Sequence, residues 1–397
     1  MISEVSRPYI DASVPVLREH GLAITSLFYA NMLGAHPELT RIFNMGNQAR
    51  GAQQQSLASA VFAYAANIGT PEALGPVVER IVHKHVSIGI RAEHYPIVGK
   101  HLLEAIAATL GNAATPALLD AWKEAYTSLA RLLIAAEAAL YSTAGIEPGA
   151  TRPMRVTDVV RESASVLSIR FEPADGQPLA DFKPGQYVSV AVDFADGRRQ
   201  LRQYSLSDRP GVGSYRISVK REDALSDTPA GEISNWLHAN VQAGSTLQVS
   251  HPFGEFTPDT EGGQPIVLLS AGVGITPMVS ALKRIAEVNP QRRVIFAHAA
   301  RDPGFHALGG EVDALKVAMP NLSVVNFYED VQGAAGAVVG RMDVARLPAW
   351  PHEEAEVYLC GPHQFMQAQW LALIDAGVPA ARLHREVFGP ELLDHLL

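Results

Sequence analysis

The chain has 397 residues, of which 47% are apolar and 18% charged, with a formal net charge of −9. It is too long for one ordinary core, so three domains are the working count, and it is too acidic to suggest a nucleic-acid partner. Its single cysteine, Cys360, excludes intramolecular disulfides and any cysteine-ligated zinc or iron–sulfur centre within one chain, and Met1 to Ile10, with Glu4, Arg7 and Pro8, reads neither as a signal peptide nor as a membrane span. A cytoplasmic protein without stable membrane insertion is expected.

From about Ser6 to Tyr141 the chain is rich in Ala and Leu, with apolar residues recurring at three and four positions, as in Leu129, Leu132, Leu133 and Ala136. Prolines at 37, 71, 76, 96 and 116 are spaced like the ends of separate helices, so six to eight packed helices are predicted. After the turn-forming run from Ser142 to Gly149 the texture changes to short alternating segments such as Tyr187 to Val192 and Tyr215 to Val219, the pattern of a β-domain. From Pro265 onward the apolar runs Ile266 to Leu269, Val294 to His298, Val324 to Phe327 and Glu356 to Leu359 alternate with helical stretches, which predicts a parallel sheet with crossover helices and a nucleotide site. The expected division is 1–141 helical, 142–151 linker, 152–260 antiparallel β-barrel and 261–397 α/β with a parallel sheet.

Three segments of the second half carry chemistry. Arg202-Gln203-Tyr204-Ser205-Leu206-Ser207, preceded by Pro184-Gly185-Gln186-Tyr187, places a cation, an aromatic ring and hydroxyls on one strand, whose alternation sends them to different parts of a ligand. The run from Gly231 to Leu237 reads as a helix start with open amides for a phosphate, or as a helix simply capped by Ser234. The run Leu268 to Met278 follows an apolar strand, and its Ala271-Gly272-Val273-Gly274-Ile275-Thr276 lets the backbone approach a phosphate before a helix opens. With Cys360-Gly361-Pro362 after a later strand and the ending Glu386-Val387-Phe388-Gly389-Pro390, these strings resemble the ferredoxin-reductase superfamily. The resemblance implies FAD on Tyr187, Arg202, Gln203, Tyr204, Ser205, Ser207, Gly231 and Ser234, with Arg202 at the pyrophosphate and Tyr204 and Ser205 at the ring. It implies NAD(P)H on Ala271 to Thr276 with Cys360 near the nicotinamide, and a flavin face covered by Phe388 within Val387, Phe388, Gly389 and Pro390. A buried structural cysteine is the competing reading of Cys360.

In the helical half His36, His83, His85, His94 and His101 are each an iron ligand or an ordinary histidine by composition alone. The strings His36-Pro37-Glu38-Leu39, Ile42-Phe43-Asn44-Met45, Gln53 to Leu57, His83-Lys84-His85 and Glu93 to Gly99 resemble, in order and spacing, the globin domain of flavohaemoglobins. That resemblance implies haem b with His85 as the iron ligand, Phe43 against the porphyrin, and Tyr29, Gln53 and Leu57 on the distal side. It also implies a hydrogen-bonded set of His85, Tyr95 and Glu137, and Lys84 where haem and flavin domains meet. Gln53 and Leu57, four apart, share a helix face. Glu137 lies among alanines and reads equally as one exposed helical residue.

The order globin, FAD barrel, NAD(P) domain implies a nitric oxide dioxygenase, a detoxifying oxidoreductase that uses O2, NO and NAD(P)H and works as a monomer. NADH is the expected donor, with NADPH as the alternative through Arg301. Two competing readings remain: a haem-based oxygen or redox sensor, and a reductase of lipid hydroperoxides whose pocket, near Leu57, Ile81 and Val98, takes a lipid or fatty acid.

Overall fold

The computed structural model describes residues 2–43, 48, 51–69, 74–224 and 229–389, and the chain divides into two compact units. The first comprises 1–150 with 191–202 and 389–397, and the second 151–190 with 203–388.

Within the first unit the described residues form five α-helices: α1 (Arg7–Ala35), α2 (Ala52–Ala66), α3 (Gly75–Ile88), α4 (His94–Leu110) and α5 (Pro116–Ala144), with short 3-10 turns at Pro37–Arg41 and Gly111–Ala113. Pro37, Pro76, Pro96 and Pro116 all fall in first turns, where the missing N–H costs nothing. Pro71 lies outside the described residues, and Pro15 lies inside α1. The main core joins Ile24, Phe28 and Met32 of α1 to Phe62 of α2, Ile106 of α4 and Trp122 of α5. Helices α1 and α2 cross closely where a Cβ on Gly21 would stand 3.5 Å from the Ala58 Cβ. Along α5 the buried stripe is Ala130, Leu133, Glu137 and Tyr141, whereas Leu132 is exposed. The inward face is therefore turned from the one that the leucines suggest, and it takes in a carboxylate. Helix α5 runs through the first three residues of the expected linker and ends at Gly145, whose φ of 65° suits glycine.

The antiparallel sheet comprises β1 (Arg152–Arg161), β2 (Val166–Pro173), β3 (Tyr187–Asp193), β4 (Arg199–Ser205), β5 (Tyr215–Lys220) and β6 (Thr246–Val249), in the order β4-β3-β6-β1-β2-β5. Its two edges are joined by a single bridge, Leu206 to Ile217, supported by Ser207 N donating to Arg216 O at 2.8 Å, so the expected barrel closes at one point and not along a full ladder. Helix α6 (Glu232–Asn240) follows β5.

The second sheet is parallel, in the order β10-β9-β8-β7-β11-β12, from β7 (Ile266–Ala271), β8 (Val294–Ala300), β9 (Leu322–Tyr328), β10 (Val338–Val339), β11 (Glu356–Cys360) and β12 (Leu383–Glu386). Crossovers include α7 (Ile275–Val288), α8 (Gly309–Leu315) and α9 (His363–Asp375). Alternation divides each strand between two cores: Leu268 and Phe296 meet Met278 and Leu282 of α7, while Leu269 and Leu359 pack with Leu373 of α9. Ser270 is in register with both His298 and Cys360, and Cys360 with Glu386, so one polar row crosses the carboxyl ends of the strands. That edge is where open α/β sheets take ligands.

An ionic cluster with Asp208 and Arg216 buried at its centre joins the two sheet modules inside the second unit. Lys283 Nζ lies 2.5 Å from Asp208 Oδ1 and 2.9 Å from Glu311 Oε2, Arg170 reaches Asp208 at 2.7 Å, and Arg216 forks onto Glu311. Burial raises the Asp208 carboxyl, but hydrogen bonds from Lys283 and Arg170 and the nearby positive charges outweigh it and bring it down to about 2. A carboxyl lowered by folding stabilises the native state above its unfolded pKa near 4 and loses that contribution as pH falls toward 2. Lys283→Met should thus cost on the order of 2 kcal/mol at neutral pH, with the difference from the parent shrinking between about pH 4 and pH 2, as read by denaturant unfolding across that range.

Candidate functional site

The helical unit assembles a proximal set around one imidazole. His85, in the last turn of α3, has Nδ1 2.8 Å from Glu137 Oε1 and 3.2 Å from the Tyr95 hydroxyl. Tyr95, in the first turn of α4, donates to the same carboxylate oxygen at 2.5 Å. The Glu137 side chain is 3% exposed and that of His85 is 32% exposed. An isolated carboxylate would not be stable at such burial; the imidazole N–H and the phenol satisfy it. Burial and the adjacent Glu137 charge push the Tyr95 hydroxyl far above its ordinary pKa, so it stays a donor. Since Glu137 accepts the hydrogen bond from Nδ1–H, His85 Nε2 is left with its lone pair, the donor atom an iron requires.

Positioning comes from further out. Tyr126 Oη donates to Tyr95 O at 2.6 Å, and Tyr141 Oη donates to Ile90 O at 2.9 Å. Gly99 is required by Tyr126, because a Cβ there would lie 2.5 Å from its ring.

On α1, Tyr29 is 5% exposed, and its ring meets Phe43 edge-on at 5.7 Å. The Gln53 and Gln48 side chains are hydrogen-bond partners of its hydroxyl, whose pKa burial drives well above 10. Gln53 and Leu57 are half-buried on α2, one turn apart. Asn44 and Met45 of the quoted string lie outside the described residues. His36 and His101 meet edge-on at 5.5 Å, and the His94 imidazole is held below its ordinary pKa by burial. Among the described residues, the five candidate histidines yield one with a carboxylate and a phenol behind it. That donor set, with apolar Phe43, Leu57, Ile81 and Val98 half-buried nearby in sequence and core, fits a planar, largely apolar group with an iron. Lys84 Nζ donates to Gly389 O at 3.0 Å, within the same unit.

The flavin-motif strand β4 places Arg202 and Tyr204 on one face, both half-buried, and Gln203 on the other, exposed. Arg202 Nη1 donates to Gln200 Oε1 at 3.1 Å and to Leu201 O at 2.6 Å. Ser205 is buried, and its Oγ has no hydrogen-bond partner among the described residues, as expected of an atom meant for a ligand. Ser207 differs: its Oγ lies 2.8 Å from Ser218 Oγ and accepts from Arg216 Nε at 3.1 Å, which turns it into the protein. Tyr187 opens β3 in a buried position. Gly231 precedes α6, and Ser234 Oγ is used locally, donating to Gly231 O at 3.1 Å and accepting from Glu222 N at 3.2 Å.

In the parallel-sheet module Ala271 ends β7, and Gly272, at φ 54°, opens the turn Gly272–Gly274 that runs into α7. No side chain caps α7; the Ile275 N–H that opens it donates to Gly272 O and Val273 O of the turn, so the turn runs directly into the helix. Gly274 is dictated by packing: a Cβ there would be 2.3 Å from Cys360 O. Thr276 Oγ1 donates to Val273 O at 3.0 Å and closes the turn. Cys360 is fully buried, and burial followed by the Glu386 charge pushes its thiol well up, so it is a neutral thiol and not a nucleophile. Val387 is buried, Phe388 is 45% exposed, Gly389 has φ 119°, and Pro390 lies outside the described residues.

Sequence reading passed over several residues. Gln48 and Glu386 lie inside quoted or adjacent strings but look like surface residues until burial is known; Glu386 is 3% exposed. His298 Nδ1 lies 2.9 Å from Ser270 Oγ, and its ring stacks on His306 at 4.3 Å. Burial keeps both neutral, His306 being lowered to about 4.

Comparison with known proteins matches this arrangement part by part. A globin family model covers residues 26–133, an oxidoreductase FAD-binding domain 153–257 and an oxidoreductase NAD-binding domain 268–370. The chain is 49% identical to a flavohemoprotein of Bordetella parapertussis, over 98% of this chain and 99% of that one, and 44% identical to a flavohemoprotein of Rhizobium meliloti, over 99% of each. Among solved structures, the flavohemoglobin of Malassezia yamatoensis with bound FAD and heme superposes with a TM-score of 0.88 at 32% identity, covering 98% of this chain and all of that one. The FAD/NAD-binding domain of nitric oxide dioxygenase from Vibrio cholerae covers 60% of this chain at 38% identity, TM-score 0.56. A helical haem-type pocket, a flavin-motif sheet and a dinucleotide-type parallel sheet in this order, with full-length relatives well above 30% identity, show that the chain belongs to the flavohemoprotein family.

Proposed function

We propose that this chain is an NAD(P)H-dependent nitric oxide dioxygenase, oxidising nitric oxide with O2 to nitrate and so removing it, through haem b and FAD. The observation that carries the reading is the His85–Glu137–Tyr95 set, because a buried carboxylate behind a ligating imidazole favours activation of bound oxygen over its simple carriage. When bound, haem supplies oxygen binding and one-electron chemistry, and FAD converts a two-electron hydride into single electrons.

The chain's own residues do the rest. His85 Nε2 is the iron ligand, while Glu137 and Tyr95 keep the proton on Nδ1 and make the imidazole a stronger electron donor. Tyr29, kept protonated by burial, and Gln53 aim donors at a ligand that gains negative charge, and Leu57 and Phe43 limit water. Arg202 neutralises the flavin pyrophosphate with Gly231 and Ser234 at the start of α6, while Tyr187, Gln203, Tyr204 and Ser205 border the ring; Ser207 supports the strand from behind. Val387, Phe388, Gly389 and Pro390 form the segment that covers the flavin, and Lys84 bonds to it. Ala271 to Thr276 receive the dinucleotide phosphates, with Cys360 near the nicotinamide. NADH is the donor we favour: the Arg301 guanidinium rests on the Phe305 ring at 4.5 Å, where it has an apolar partner of its own. NADPH is the alternative donor.

The domains are taken as 1–141, 152–260 and 261–397 with a linker at 142–151, and the working form as a monomer in the cytoplasm. No helix among the described residues is long and apolar enough to cross a membrane.

The test is nitric oxide consumption at an electrode in air by haem- and FAD-loaded protein, with nitrate assayed. Consumption that requires NADH, with two nitric oxide molecules lost per NADH because each hydride carries two electrons, is expected. No consumption despite a reducible haem would overturn it in favour of the sensor or lipid hydroperoxide reading. Glu137→Gln, which keeps the shape and removes the charge, is expected to lower nitric oxide turnover about 10- to 100-fold with haem still bound, measured by the same electrode.

A further inference from the structure

The flavin motif does not end at Ser205: the next turn of chain, Ser207-Asp208, is gripped from the parallel-sheet module. Ser280 Oγ donates to Asp208 O at 2.7 Å, and Lys283, one turn further along α7, pairs with the Asp208 carboxylate. Arg216 donates from Nη2 to Ser207 O at 2.5 Å and forks onto Glu311 of α8, whose Oε2 also accepts from Lys283 at 2.9 Å. Arg216 and Asp208 side chains are only 6% and 5% exposed.

Adhesion between the modules alone would not call for such a cluster. Burying Asp208 and Arg216, with Arg170, Lys283 and Glu311 partly buried around them, costs desolvation energy that an apolar contact avoids, so the gain lies in direction: charge-assisted bonds fix distance and angle where apolar surfaces slide. The lever arms are short. Helix α7 begins at the glycine turn Gly272–Gly274 and reaches Lys283 in eight residues, about 12 Å at helical rise, while Asp208 lies three residues beyond Ser205. One rigid helix therefore connects the dinucleotide turn to the end of the flavin strand.

We propose that Lys283 and Glu311 are positioning residues for hydride transfer, fixing the flavin strand through Asp208 and Arg216 at the separation and angle the dinucleotide requires. This rests on the reading that NADH reduces FAD in this chain. Neither residue belongs to the flavin or dinucleotide segments themselves. Because a misplacement of about 1 Å costs on the order of 100-fold in rate, loss of the clamp appears in the transfer step and not in binding.

The experiment is anaerobic stopped-flow reduction of the flavin by NADH in the holoenzyme with the ferric haem blocked by cyanide, together with amide hydrogen exchange of the FAD-free chain. Lys283→Met is expected to lower the limiting reduction rate about 10- to 100-fold while FAD content and the NADH dissociation constant stay at parent values, and Lys283→Arg to restore most of the rate. Exchange at 206–208 and 308–312 should rise together in Lys283→Met, with β2 unchanged. If Lys283→Met does not take up FAD, Glu311→Gln, which keeps one acceptor oxygen and loses both the charge and the second acceptor, is expected to show the same split between rate and affinity. A parental limiting rate in the variants, or a loss found only in NADH affinity, would overturn the proposal. A parent flavin that NADH does not reduce would overturn the functional reading first, and the hydride role of the clamp with it.

Discussion

His85→Ala is expected to yield a protein that binds FAD and still passes electrons from NADH to ferricyanide, but takes up no ligated haem and consumes no nitric oxide. The reason lies in the donor inventory of the helical unit. Among the described residues, His85 alone of the five candidate imidazoles has a buried carboxylate and phenol on one ring nitrogen and the other nitrogen left for a metal. Removing it does more than delete a ligand. Glu137 is left at 3% side-chain exposure with Tyr95 as its remaining donor, and a buried carboxylate stripped of a charge-assisted partner costs about 1 to 3 kcal/mol. A lower melting temperature of the helical unit should accompany the loss of activity. An optical spectrum with intact haem and persisting nitric oxide consumption in the variant would show that iron is held elsewhere.

Arg202→Ala is expected to leave the opposite defect: haem retained, FAD absent after purification, and both NADH oxidation and nitric oxide consumption lost. In the proposed site the pyrophosphate brings two negative charges to Arg202, and guanidinium is the side chain that meets phosphate oxygens in pairs. In the structure Arg202 Nη1 donates to Gln200 Oε1 and to Leu201 O, two neutral acceptors on its own strand. Arg202→Lys should recover part of the flavin, since it restores charge without the fork. Flavin content by absorbance after gel filtration decides the point, and full occupancy in Arg202→Ala would move the pyrophosphate to α6.

Much of the architecture is legible in the sequence because it depends on local pattern. The runs Ile266 to Leu269 and Glu356 to Leu359 are strands since both faces of a parallel sheet are covered, and four of the five prolines singled out lie in first turns, where ring geometry admits them. What stays hidden depends on partners far along the chain. Glu137 looks exposed because its neighbours are alanines; only the turn of α5 that also buries Leu133 and Tyr141 shows that position 137 faces inward. Leu132, apolar and in phase with Leu129, is outside. Arg216 and Glu311 are 95 residues apart, and nothing near either marks it as half of a buried pair. Ser207 reads as a flavin contact from its place in the motif, yet the bridge that joins β4 to β5 turns its hydroxyl toward Ser218.

The continuity of α5 beyond Tyr141 bears on how such a chain can be cut and rejoined. Tyr141 anchors the carbonyls of Val86 and Ile90 from a position one turn after Glu137, so the helical half is mechanically complete only when that turn is included. A junction for exchanging reductases belongs at or after Gly145. One residue inserted between Leu133 and Glu137 would swing the carboxylate by about 100° around the helix axis, away from His85, whereas the same insertion after Gly145 leaves every proximal contact in phase.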